Sequence, residues 1–162
     1  MPTLPALQLL LARAEQGVAP ADYPRTLLTL LGLSWTDTVQ PPTACLSWMG
    51  HSSEPIPANI LHADPIYLKP DLADVQLFKL RGLRLEQAAA YARAFNDFYH
   101  GEGYRLHTPA ADRWYLSSSH PIRTPEVSLD QVTGRDLRTF VGTGKQSRDW
   151  NRLFTEAQML FH

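Results

Sequence analysis

"LHADPIYLKPD", residues 61–71, is the stretch on which the fold turns. It has the apolar content of a strand, yet it holds His62 and Asp64 two apart with Pro65 directly behind. Together with Ile60 it reads as one strand, "ILHADPIYL", joined around "KPDLAD" to a second, "VQLFKL". The second alternates cleanly. Val75, Leu77 and Lys79 share one face, and Gln76, Phe78 and Leu80 the other, so neither face is purely polar. Strands that follow each other over a short connection pair antiparallel.

Outward from this pair, "RLEQAAAYARAFNDFYH" (84–100) is the clearest helix. Leu85, Ala88, Ala92, Phe95 and Tyr99 recur at three- and four-residue steps, and Gly101 follows. "GYRLHT" and "DRWYLSS" read as two more strands with a turn at Pro109–Ala111. The β-β-α-β-β order predicts an α+β fold with a mostly antiparallel sheet of about four strands. Helix 84–99 is expected to pack on that sheet through Leu85, Ala88, Ala92 and Phe95.

N-terminal helices precede this unit. Residues 4–16 predict a helix ended by Gly17. "PADYPRTLLTLLGL" predicts a second, with Asp22 as N-cap, Pro24 in the first turn and Gly32 at the end. "PPTACLSWMG" predicts a third from about Pro42 to Met49, closed by Gly50. The polar, Pro-rich "HSSEPIPAN" is a loop, and it divides the helical part from the ββαββα part of a single domain, 1–162. On the C-terminal side, "SHPIRTPEV" is a loop and "SLDQVTGRD" a short helical turn capped by Ser128. "SRDWNRLFTEAQMLFH" is a helix with Ser147 as N-cap. Its apolar stripe is Trp150, Leu153, Phe154, Ala157, Leu160 and Phe161, expected to dock on the sheet or the N-terminal helices.

Composition narrows the function classes. Fifteen basic and sixteen acidic residues leave a net charge of −1, with no basic cluster of the kind nucleic acid selects. No apolar run approaches the ~20 residues of a membrane span. The N-terminal apolar stretch is broken by Gln8 and Arg13 and lacks a positive leader, so no signal peptide is expected. Cys45 is the single cysteine, which suits a reducing cytoplasm. Neither a nucleic-acid nor a membrane partner is expected. A protein or small-molecule partner is.

Several residues are candidates for chemistry. In a strand, His62 and Asp64 share a face, where an imidazole and a carboxylate can hold a metal or pass a proton. Equally, Asp64 can cap the turn before Pro65 while His62 packs at a sheet edge. A metal site needs three or four ligands, and no second cluster with recognisable spacing accompanies the pair, so no cofactor is expected, a divalent metal being the weaker alternative. Arg113 in "DRWYL" and Arg135 in "GRD", with Asp136, are candidates for recognising a carboxylate or phosphate. The alternative is an Arg–Asp pair that ties loops together, with Asp112 or Asp136 as partner. "GTGKQS" (142–147) departs from a phosphate loop at Thr139 and Gln146.

Four segments in order, "LHADPIYLKPDLADVQLF", "AFNDFYHGEGYRLHTPAADRWYL", "VTGRDL" and "WNRLFTEAQMLFH", resemble the bacterial RpfE-type regulatory proteins. Members carry the label cofactor-independent phosphoglycerate mutase or are uncharacterised. The resemblance implies a regulatory or ligand-binding role without catalysis, or alternatively mutase-like phosphoryl transfer or phosphoester binding. A metal-dependent mutase uses a serine nucleophile and a two-metal cluster of Asp and His ligands. Of that cluster His62 and Asp64 are the beginnings here. Family members start earlier and continue past "QMLFH". The chain is thus expected to be truncated at both ends, and to self-associate through an apolar patch left near its last helix.

Overall fold

The computed structural model describes residues 23–32, 42–70, 74–121, 132–136 and 148–161, in two units, Met1–Thr43 and Ala44–His162. The helix expected at 4–16, the caps Asp22, Ser128 and Ser147, and the 142–147 loop lie outside the described residues. Helix α1 (Tyr23–Leu30) ends as its sequence predicts. Gly32 takes φ +83°, and its N–H donates to the Thr29 carbonyl at 2.9 Å.

The second unit is α+β. Its first helix is α2 (Thr43–His51), which enters the unit at Ala44 and runs through Gly50 instead of stopping there. The opening stretch is not one strand but two. β1 is Leu61–His62 and β2 is Ile66–Pro70. The Ala63 N–H still donates to the Trp114 carbonyl at 2.9 Å, but Pro65 has no N–H to continue that ladder. The chain therefore changes partner. β2 pairs antiparallel with β3 (Val75–Lys79), from Ile66 opposite Lys79 to Pro70 opposite Val75, as a separate two-stranded sheet. Residues 132–136 run along β3, where Leu77 exchanges backbone bonds with Gly134 and Arg135.

Helix α3 (Leu85–Phe98) leads into β4 (Tyr104–Ala110) and β5 (Arg113–Ser118). The turn between these strands is Ala111–Asp112, later than expected. Pro109 lies inside β4, where the register is irregular between His107 and Ala110, the setting in which a strand tolerates proline. β5 is central, in the order β1-β5-β4, with every pairing antiparallel. So the four-stranded sheet expected from the sequence is, among the described residues, five strands in two sheets.

Alternation along β5 sends Trp114 and Leu116 to one face and Tyr115 to the other. The first face packs with Leu106 against Ala88, Ala92, Phe95 and Tyr99 of the α3 side and Leu153 of α4 (Arg148–Leu160). Leu85 does not join them. It stands half exposed in the first turn of α3. Asn96 reaches from α3 to the free edge of β4, donating to the Leu106 carbonyl at 3.0 Å and accepting its N–H at 2.7 Å. Trp150, Ala157, Leu160 and Phe161 dock on this core as their stripe predicts, but Phe154, also in that stripe, is not among the core residues and instead lies against Trp150 with ring centroids 6.2 Å apart. Tyr99 donates its hydroxyl to Glu156 at 2.8 Å, and burial beside that carboxylate pushes its pKa well up. No helix among the described residues is long and apolar enough to cross a membrane.

Truncating Leu153, 4% exposed, to Ala should cost about 2–4 kcal/mol, whereas Met159→Ala, at a side chain 69% exposed, should stay within about 0.5 kcal/mol. Urea unfolding of the two variants checks the docking of α4.

Candidate functional site

Asp64 stands where the chain leaves one sheet for the other. Its Oδ1 accepts the Trp114 backbone N–H at 3.0 Å, and its Oδ2 forms an ion pair with the Arg113 guanidinium. The carboxylate is 10% exposed and the guanidinium 31%. Removing two charges from water costs free energy, which is recovered here because each carboxylate oxygen has a donor. The partner of Arg113 is thus Asp64, 49 residues away, and neither Asp112 nor Asp136. The pair ties the hairpin turn to the β1–β2 junction.

His62 is directed to a different place. It lies opposite Tyr115 in the sheet, with ring centroids 5.3 Å apart, while Asp64 serves Arg113. Arg135 and Asp136 sit against the two-stranded sheet, with Asp136 bridged to Gln76 and the Arg135 carbonyl accepting the Leu77 N–H at 3.3 Å. Among the described residues, no three His, Cys, Asp or Glu side chains are grouped to hold a metal ion.

Beside the Asp64–Arg113 junction the surface opens into a cleft of about 320 Å³, lined by Lys79, Leu80, Arg81, Gly82 and Asp112. Lys79 closes β3, Asp112 is the second residue of the β4–β5 turn, and Gly82 turns the chain toward α3 with φ +80°. The Leu80 N–H is held by the Pro65 carbonyl at 3.1 Å, which fixes the strand end that carries both cations. Lys79, the last residue of β3, and Arg81, two residues beyond it, both line the cleft. Arg81 and Asp112 are exposed and Lys79 is half-buried. Two cations and one carboxylate around an open cleft suit a small anion that also carries a hydrogen-bond donor.

Sequence reading missed Lys79 and Arg81. The one signal was Lys79 itself, a charged residue on the face of β3 that also holds Val75 and Leu77.

On the opposite face of the larger sheet, Trp48, Ile60, Ala44 and Tyr115 form a second core. The His51 Nδ1 lies 2.7 Å from the Ser47 carbonyl, which can only accept, so Nδ1 carries the proton. The Tyr115 hydroxyl, 3.2 Å from that Nδ1, shares a hydrogen bond with the Ser47 Oγ at 2.7 Å. The His107 Nε2 is 2.8 Å from the Ser117 Oγ, and burial followed by the nearby Arg105 charge lowers the His107 pKa.

Comparison with family models, with curated proteins and with solved structures finds no match in any of the three.

Asp64→Ala would strand a guanidinium and a backbone N–H, and should cost about 2–4 kcal/mol. Asp112→Ala, one position from Arg113 but exposed, should change stability by less than about 0.5 kcal/mol. Guanidinium chloride titrations of both variants separate the structural carboxylate from the cleft carboxylate.

Proposed function

We propose that the chain is a cytoplasmic regulatory domain without catalytic activity, of the RpfE-type kind that it resembles, and that it binds a small phosphoester-like anion. The observation that carries the reading is the cleft at Lys79, Arg81 and Asp112, beside the partly buried ion pair of Asp64 and Arg113. Arg81 can take two phosphate oxygens at once, Lys79 adds a point charge, and Asp112 accepts from a ligand hydroxyl. A volume near 320 Å³ matches a ligand of metabolite size. The Asp64–Arg113 pair supports the reading from behind, because it holds the turn bearing Asp112 in register with the strand end bearing the cations.

Calorimetric titration with inorganic phosphate and with 3-phosphoglycerate tests this. Binding of the phosphoester should show a dissociation constant below about 1 mM, weaken as salt is raised, and be lost in Lys79→Gln/Arg81→Gln with the melting temperature unchanged. Heat no larger than the dilution blank at about 10 mM ligand rules the proposal out. Conversion of 3-phosphoglycerate to its isomer by the wild-type chain would instead favour the mutase-like alternative.

A further inference from the structure

We propose that His107 is a proton-operated latch on α2: while its imidazole is neutral the helix stays seated on the outer face of the three-stranded sheet, and protonation lifts the helix and uncovers Tyr115. This does not depend on the cleft or its ligand.

The register places His62, Tyr115 and His107 in one row across β1, β5 and β4. Trp48 of α2 covers the row. It lies roughly perpendicular to both rings, with centroids 5.2 Å from His107 at 78° and 5.2 Å from Tyr115 at 87°. Trp48 is 2% exposed and Tyr115 fully buried. Among the described residues, they and Ala44 are the buried members that α2 and β5 give to this second core, with Cys45 packed partly buried against it. A nine-residue helix seated by one indole, two small side chains and the polar contacts of Ser47 and His51 with the Tyr115 hydroxyl can open locally without the rest of the unit unfolding.

His107 packs T-shaped against that indole, and its Nε2 pairs with the Ser117 Oγ at 2.8 Å. An imidazolium has two N–H groups to satisfy, and in the docked state it is partly shut off from water. Arg105, two residues away on β4, repels a second positive charge, while Glu54, in the loop after α2, attracts it. His62 from β1 and His51 from α2 flank Tyr115, with Ser47 on its hydroxyl. Attraction of a cation to the Trp48 ring offsets part of the cost, but burial is the largest influence on His107 and acts against the charge. The docked form therefore binds fewer protons than the released form. Docking is complete above about pH 6.5, the ordinary histidine value, and weakens as pH falls through it toward the lowered value of His107.

Cys45 reports the motion, because it is the single cysteine of the chain and packs half-buried against the same core. Its labelling rate by a dipyridyl disulfide is measured at about pH 7.5 and about pH 5, each divided by the rate for the urea-unfolded chain at the same pH, which removes thiol ionisation from the comparison. Protection should fall severalfold at the acid pH in the wild-type chain, and His107→Gln should abolish that fall. Arg105→Gln should shrink it and Glu54→Gln enlarge it. Both of those residues are exposed, so these variants decide the question even if His107→Gln loosens the helix at every pH. Equal protection at the two pH values in the wild-type chain overturns the latch. So does an unchanged fall in His107→Gln, or a shift of the same sign in Arg105→Gln and Glu54→Gln.

Discussion

The larger unit depends on a central strand sealed on both faces. β5 has a neighbour on each edge and a helical layer on each face, so Trp114, Tyr115 and Leu116 are all buried in succession. A strand in that position loses the usual alternation of polar and apolar residues. The two faces solve the problem differently. Toward α3 and α4 the contacts are aliphatic and aromatic carbon, with Leu106, Ala88, Ala92, Phe95 and Leu153. Toward α2 the buried side chain is a tyrosine, whose hydroxyl must keep a hydrogen bond when it leaves water. Ser47 supplies it, and the Trp48 indole N–H finds the Glu54 carbonyl at 3.1 Å. The position of α2 is thus set by polar partners as much as by packing.

The second constraint is the break at Asp64–Pro65. Proline ends the ladder to β5, and the aspartate before it captures the backbone of that same strand through the Trp114 N–H. The side chain thereby holds β5 at the point where backbone pairing has stopped. Arg113 adds a second tether and brings the β4–β5 turn against the junction. Residues that begin β2 and end β3 are carried to the same place, since Ile66 lies opposite Lys79. The cleft is a consequence of two sheets meeting at one proline.

How much of this was legible follows the range of each interaction. The stripe on α3 was readable because helical spacing is local, and Ala88, Ala92 and Phe95 are buried as it requires. Leu85 has the right spacing but sits in the first turn, beyond the sheet that would cover it, and spacing carries no information about where a neighbour ends. The strand at 60–68 was legible as extended chain. Its division between two sheets was not, because each half has the same apolar character and the deciding partner, β5, is about fifty residues away. The Asp64–Arg113 pair is hidden for the same reason, since Asp112 and Asp136 are nearer in sequence to the arginines. The row of His62, Tyr115 and His107 needed the register of two separate strand pairings, which composition does not encode.

Helix α2 shows what such long-range settings do to stability. It turns Leu46 and Met49 outward, at 49% and 65% exposure, and buries Ala44 and Trp48. Apolar residues therefore lie on both sides of it, and apolar spacing alone cannot choose which side faces the sheet. The choice is made by Trp48, the one side chain large enough to fill the space between His107 and Tyr115, and by Ser47 and His51, which meet the tyrosine hydroxyl. Contacts of that kind depend on hydrogen-bond donors and acceptors, whereas the face beneath α3 is closed by aliphatic and aromatic carbon. The same strand is thus joined to one helical layer through carbon contacts and to another through an indole, a serine hydroxyl and two imidazoles.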